Sequence, residues 1–419
     1  MRLVEKLRRI SAPAAAPIVR ADSSVAAELP GERIETDEGA YRVRRIDVPL
    51  GHIHGRFLLA DVAEAPMGGL VPIARDPQLA GIEARRCIYF DTETTSLGGG
   101  VGTYVFMFGA GWFEGDVFRV EQYFLDDVAG ERALLRAINA LLKPFDYVVS
   151  FHGKGFDAPR LGGRFLFHRM RVQWPAAHLD LCIIGRKLYR GAYDNCRLQT
   201  FERELIGHHR ADDLPGADCP RAFFEHLQGE SELMPRVFEH NYLDVLTLPA
   251  VATAFAREVA DPANPVVLSN LGAHFELVGR NRQARDSYTE ALDGLRAGGH
   301  RLLGRTLERL ALLERRAGRH QQSAELLLER VRTHPHAFQP LEDLAKYYEH
   351  RAHDAHAAEA TVMDARSRLL TGKIEVDLAA KKRCMAALDY RLARIRRQSP
   401  RLGGPRLGAL PESPLQPGA

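Results

Sequence analysis

The chain of 419 residues has little cysteine: five residues (Cys87, Cys182, Cys196, Cys219 and Cys384), an odd number, scattered and without a CxxC pair. That spacing argues against a disulfide framework and against a thiolate zinc site, and it fits a reducing cytoplasm. No apolar run approaches the ~18–20 residues of a membrane-spanning helix, so none is expected. The start, MRLVEKLRRISAPAAAPIV, is basic, but its apolar stretch is short and broken by prolines, which makes a poor secretory signal. No sign of charge dominates either. The 57 basic residues face 54 acidic ones, a net charge of +3, so any surface for nucleic acid must be local. What is present is 45% apolar and 26% charged residues, the composition of a folded protein, at a length that calls for more than one core.

Residues 1–40 are rich in Ala, Pro and short polar residues without sustained periodicity, and read as a mostly disordered leader. Between Tyr41 and Ala84 short apolar stretches separated by Gly and Pro suggest strands or loops packed beside the main domain. The pattern sharpens after Arg86. CIYFD reads as a buried strand, TYVFMFGAGWF and VFRVEQYFL as two more strands of a meander, ERALLRAINALLKPF as a helix, and YVVSF as another short buried strand. From there to about Ala260 the chain reads as mainly helical. An antiparallel meander followed by alternating strands and helices predicts an α/β domain with a mixed central sheet over 41–260.

The region 262–398 shows no strand-like run. Ala, Leu, Arg and Glu recur at helical spacing, and Leu271, Gly272, Phe275, Gly279, Ala284, Tyr288 and Ala291 stand at the offsets of a tetratricopeptide repeat, with two looser copies after it. An all-α array of stacked hairpins is expected, offering a groove suited to a protein partner. The end, 399–419, is Pro- and Gly-rich and reads as a flexible tail.

The chemistry lies in four acidic residues. Asp91 and Glu93 end the first strand of the α/β domain two residues apart, so both leave one face. Asp157 follows YVVSF in FHGKGFDAPRL, and Asp244 lies in EHNYLDVLTL with His240 one helical turn before it. Singly, each has an ordinary reading as a helix cap or a solvated residue. Together, a cluster of carboxylates at the end of a buried strand would repel itself unless a divalent cation neutralised it. Mg2+ and Mn2+ prefer such oxygen ligands, and two ions can serve phosphodiester hydrolysis.

IYFDTETTSL, VVSFHGKGFDAPRL, HLDLCIIGRKLY, LQTFERELIG and HNYLDVLTL, in that order, resemble the YprB-type ribonuclease-H-like family, within the DEDD superfamily of 3′–5′ exonucleases. The resemblance covers roughly Tyr41 to Ala260. It implies a ribonuclease-H-like fold, two Mg2+ or Mn2+ ions held by Asp91, Glu93, Asp157 and Asp244, and a single-stranded DNA or RNA substrate. His240 is implied as the residue that helps activate the attacking water. Two positions depart from the superfamily: His152 and Gly153 stand where Asn is common, and His240 precedes Asp244 by four residues, the place of a tyrosine in one branch. Structure-selective endonuclease action and a non-catalytic adaptor remain the alternatives.

Thr94, His152 and Lys154 are candidate contacts to the nucleic acid. SLGGGVG (Ser96 to Gly102) lacks the spacing of a phosphate-binding loop and reads as a flexible hairpin. HHR at 208–210 reads as a solvated polar surface. The basic stretch from Lys381 to Arg397 reads as the solvated face of a last helix, or as a strip that steers a polyphosphate with Tyr390 against a base.

Overall fold

The computed structural model describes residues 29–96, 102–230 and 232–398. The expectations for 1–28, for most of the SLGGGVG loop and for the tail lie outside the described residues. Residues 32–40 correct the leader assignment: β1 (Glu32–Thr36) and the start of β2 (Gly39–Pro49) form a hairpin there. β2 then pairs with β7 (Val117–Phe124), so this segment extends the main sheet and is not merely packed beside it. A two-stranded hairpin of β3 (Ile53–His54) and β4 (Phe57–Leu58) stands apart.

The main sheet has the order β1-β2-β7-β6-β5-β8-β9. β5 (Cys87–Thr94), β6 (Val105–Glu114) and β7 form the antiparallel meander that the sequence predicts. β8 (Tyr147–Ser150) and β9 (Ala177–Asp180) add in parallel beside β5. β9 was not expected. Its four residues, AHLD, are too short to show an alternating pattern. The helices between are α1 (Glu131–Leu142), α2 (Asp157–Phe167), α3 (Leu181–Tyr189), α4 (Cys219–His226) and the long α5 (Met234–Ala260).

Both faces of the sheet are covered, and the alternation of side chains along β5 decides which core each residue enters. Tyr89 joins Val149, Leu179 and the Val245–Phe255 part of α5. Ile88 and Phe90 join Phe108, Leu134 of α1, Phe165 of α2 and Phe223 of α4. The seat of α5 is cut by two glycines on one face of β6. A Cβ on Gly109 would stand 2.0 Å from Asn241 Oδ1, and one on Gly111 would stand 2.8 Å from Val245 Cγ1. Close approach of helix to strand is what the FGAG sequence provides.

The chain then becomes wholly helical among its described residues. α6 (Pro265–Leu277) pairs with α7 (Asn281–Ala297), α8 (Leu303–Arg316) with α9 (His320–Thr333), and α10 (Gln339–Tyr347) with α11 (Ala355–Leu370). α12 (Leu378–Gln398) packs on α11. Gly272 sits against the Tyr288 ring, where a Cβ would come within 2.6 Å, so this small residue lets the first hairpin close. In α12, Arg391 and Arg394 both bind Glu349, and Arg396 binds Glu359, so much of the basic strip spends its charge inside the array.

Gly109→Ala tests the seat of α5. The added methyl forces helix and strand apart, and we expect a loss of about 1–3 kcal/mol in urea unfolding, as for other overpacked sites. An unchanged midpoint contradicts this account of the helix position.

Candidate active site

The site is built where β5 stops being a regular strand. Its register against β6 shifts between Glu93 and Thr94, so pairing breaks just after Asp91 and Glu93 have been presented on one face. Glu93 is 8% exposed.

Asp157 is the first residue of α2 and is buried. The loop before it is shaped by Asp180, at the end of β9. That carboxylate accepts the backbone N–H of His152 (2.9 Å) and of Lys154 (3.0 Å), and it also caps α3 through Cys182 N–H (3.0 Å). His152 takes a left-handed backbone, φ +70°, to make the turn. The three expected nucleic-acid contacts are therefore all partly committed. His152 shapes the turn, Lys154 Nζ lies 3.6 Å from Asp76, and Thr94 Oγ1 donates to the Ser96 carbonyl at 3.0 Å.

α5 supplies the rest. His240, Asp244 and Thr247, at i, i+4 and i+7, form one stripe of the helix. The neighbouring Asn241 points into the sheet instead. Its Nδ2 donates to Asp91 Oδ2 (3.1 Å), and its Oδ1 accepts from Gln122 Nε2 of β7 (3.0 Å). Gln122 also donates to the Phe238 carbonyl (2.7 Å), so β7 fixes the helix that fixes Asp91. Tyr242 faces elsewhere, with the Arg44 guanidinium 5.9 Å from its ring.

The acids act on one another electrostatically. The Asp91 carboxyl is held far above the ordinary carboxylate range by burial, then by the charges of Asp244, Glu93 and Asp157. Burial likewise pushes Glu93 to about 8; His240 opposes this, while Asp244 and Asp157 add to it. Asp157 lies at the margin of the group. Burial raises it to about 6 against a hydrogen bond from Thr92 Oγ1 (2.5 Å), and Thr92 faces away from Asp91 and Glu93 on the strand. Asp244 and Asp157 thus lie close enough to Asp91 and Glu93 to raise both carboxyl groups. Oxygen donors that repel one another out of the charged state suit a hard divalent cation.

Sequence reasoning missed the cationic side of the site. Arg210, assigned to a solvated surface, has a side chain only 5% exposed and sits at the centre of an ionic network. It donates to Glu202 (2.7 Å), Asp213 (3.1 Å) and Asp244 (2.5 Å). Asp213 in turn binds His240 Nδ1 at 2.9 Å, leaving Nε2 3.6 Å from Asp244 Oδ2. Burial disfavours the imidazolium, but Asp244, the Asp213 hydrogen bond and Glu93 outweigh it and hold His240 up at about 9. The DDLPG loop after Arg210 carries no motif that would have shown this; only the tertiary contact does.

Glu93, Cys219 and His240 also bring ligand atoms within 4.8 Å of one another. Burial, with the charges of Glu93 and Asp244, drives the Cys219 thiol far up, so it stands as a neutral donor to Glu93 and not as a thiolate.

Comparison with known proteins agrees with this geometry. Residues 88–256 match the RNase_H superfamily. The match runs from β5 through most of α5 and takes in all four carboxylates, on a mixed sheet of the expected ribonuclease-H-like kind. The chain is also similar to the Uncharacterized protein YprB of Bacillus subtilis (strain 168), 27% identical over 364 residues, or 81% of this chain and 85% of that protein. Similarity on that scale spans the ribonuclease-H-like domain and reaches into the helical array. Among the described residues no helix is long and apolar enough to cross a membrane.

Two outcomes follow from the charges. Arg210→Met leaves Glu202, Asp213 and Asp244 without their shared cation, and chemical denaturation should show a loss of about 3–5 kcal/mol. A near-neutral result removes Arg210 from its central place. The second concerns pH in EDTA. Glu93 is raised from 4.5 to about 8, so the folded state is penalised as pH climbs through that window. His240 is raised from 6.5 to about 9, so its contribution is present below 6.5 and is lost as pH rises through 9. Both act in one direction. Tm in EDTA should fall from about pH 6 to about pH 9, and Mn2+ should restore most of the loss. A Tm that rises over this range contradicts the assignment.

Proposed function

We propose that the protein is a metal-dependent 3′–5′ exonuclease acting on single-stranded nucleic acid. What supports this reading is that Asp91, at the broken end of the central strand of a ribonuclease-H-like sheet, is raised by burial and by the charges of Asp244, Glu93 and Asp157. Asp91, Glu93, Asp157 and Asp244 are the residues to hold Mg2+ or Mn2+. Bound there, the metal supplies a water of lowered pKa and neutralises charge on the phosphodiester.

The chain's own residues do the rest. Asp213 fixes the His240 ring through Nδ1, so Nε2 is the atom offered to the site, to take a proton from the water. Asp244 and Glu93 favour the protonated imidazole, and with their charge cancelled that preference weakens, so the ring can serve as a base. Asn241 holds Asp91, and Arg210 holds Asp244 by Oδ1 while Oδ2 stands 3.6 Å from His240 Nε2. The helical hairpins, read as tetratricopeptide-like, make a second domain that binds a protein partner or extends the nuclease. The superfamily match and the retained carboxylates support catalysis over a purely adaptor role.

Asp91→Asn and Asp244→Asn should each lower Mn2+-dependent hydrolysis of a labelled single strand at least about 10³-fold, and His240→Gln about 10²-fold. Full activity in either Asp variant overturns the proposal. Blocking the 3′ end should stop cleavage while blocking the 5′ end does not; internal cutting of a strand blocked at both ends assigns endonuclease action instead.

A further inference from the structure

A cleft of about 900 Å³ lies on the seam between the sheet domain and the helical array, walled by α3 on one side and by α6 and α8 on the other. The seam is tied. Asn270 Nδ2 of α6 donates to the carbonyls of Leu188 (2.9 Å) and Arg190 (3.2 Å) at the end of α3, and His300 Nε2 bonds the Gly191 carbonyl at 3.0 Å. Ser269 and Thr306 join α6 to α8 at 2.7 Å. The cleft is therefore built into the fold.

Its charge is one-sided. Glu276 is the single carboxylate in its walls, and Arg309 (2.8 Å) and Arg316 (3.9 Å) already share it. Arg75, Arg186, Arg190 and Arg305 line the same space, are exposed, and make no ion pair among the described residues. Four guanidinium groups facing one concavity repel one another, and a polyanion relieves that. Arg305 and Arg309 are one helical turn apart, about 6 Å along α8, so the wall repeats positive charge as a phosphodiester strand repeats negative charge. Guanidinium forks match phosphate oxygens bidentately.

A second observation points to a ligand. His274, 8% exposed, lines the cleft, and its Nε2 has no hydrogen-bond partner. Burial holds this ring neutral, assisted by Lys187 and Arg75 against the Pro72 carbonyl. Lys187, in the same wall, is depressed by burial and then by Arg75 and Lys154, so it lies within electrostatic reach of both. Lys154 belongs to the loop that leads into Asp157. Lys187 thus links the cleft wall to the loop that precedes Asp157, whose Lys154 is itself 3.6 Å from Asp76. Exposed Leu277 and Ile183 on the rim offer apolar surface for bases.

We propose that this cleft holds the sugar-phosphate backbone of the single-stranded nucleic acid whose end enters the carboxylate site. The inference rests on the proposed nuclease reading and extends it by assigning the path of the strand. The test uses the full chain with Arg186→Ala, Arg190→Ala and Arg305→Ala combined, all exposed positions outside the catalytic group. Anisotropy of a long labelled single strand is measured in EDTA over a salt series, and hydrolysis of a trinucleotide in Mn2+.

The variant should bind the long strand at least tenfold more weakly. Its slope of log affinity against log salt should fall by about 2, at about 0.7 for each lost contact to a single strand. Its trinucleotide hydrolysis should stay within twofold of the parent. Equal affinity and equal slope overturn the inference even if the parent hydrolyses. Weakened binding with no hydrolysis by the parent supports the path and refutes the nuclease reading alone. Parent protein that binds polyglutamate but not the oligonucleotide also overturns the inference, in favour of an acidic protein partner.

Discussion

Carboxylates driven out of water at the end of a buried strand impose the constraint around which the rest of this molecule is arranged. Asp91 and Glu93 lie at the end of β5, raised by burial and by the charges of neighbouring acids. Such a cluster is tolerable in three ways: by taking up protons, by pairing with a buried cation of the protein, or by binding an external cation. The structure uses the first two in different places. Burial and neighbouring acids favour the protonated carboxyls of Asp91 and Glu93, while Arg210 shares its charge among Glu202, Asp213 and Asp244. The oxygens left over are those a divalent ion can use.

That arrangement depends on bringing α5 unusually close to the sheet. Gly109 and Gly111 remove the side chains that would hold it away, and Gln122 and Asn241 convert the closeness into a hydrogen-bonded chain from β7 to Asp91. A helix stripe of His240, Asp244 and Thr247 then meets a strand end, and the two periodicities, 3.6 and 2, place polar groups on one patch. Thr247 carries the pattern further, donating to Glu202 at 2.6 Å and meeting His54 at 2.9 Å, so the ionic network continues into the core. The helical array meets this domain through α3, and the seam carries its own excess of positive charge.

Much of the architecture was legible beforehand. Short apolar runs separated by turns disclosed the meander, and a mixed sheet with flanking helices followed by an all-α region is what the chain forms. The gaps have physical causes. β9 is four residues long and buried, without room for a pattern; β1 lies in Ala- and Pro-poor residues at the end of a stretch whose average composition hid it. In the site, the structure places Glu93 and His240 in one group with Cys219. Asp91, Glu93, Asp157, Asp244 and His240 were marked by order and spacing. Arg210, Asp213, Asn241 and Cys219 were not, because nothing local distinguishes an arginine that will be buried by a distant helix from one in a solvated loop.

By itself, then, the sequence determined the elements and the acidic residues that end them, since alternation and helical spacing are properties of neighbours along the chain. Tertiary structure alone decided which charges meet: that Asp157 accepts a hydrogen bond from Thr92, that Arg210 pairs with Asp244, and that two surfaces distant in sequence enclose a cationic cleft. The reason is that a charge's energy is set by burial and by partners contributed from other elements, neither of which is encoded within a few residues of it.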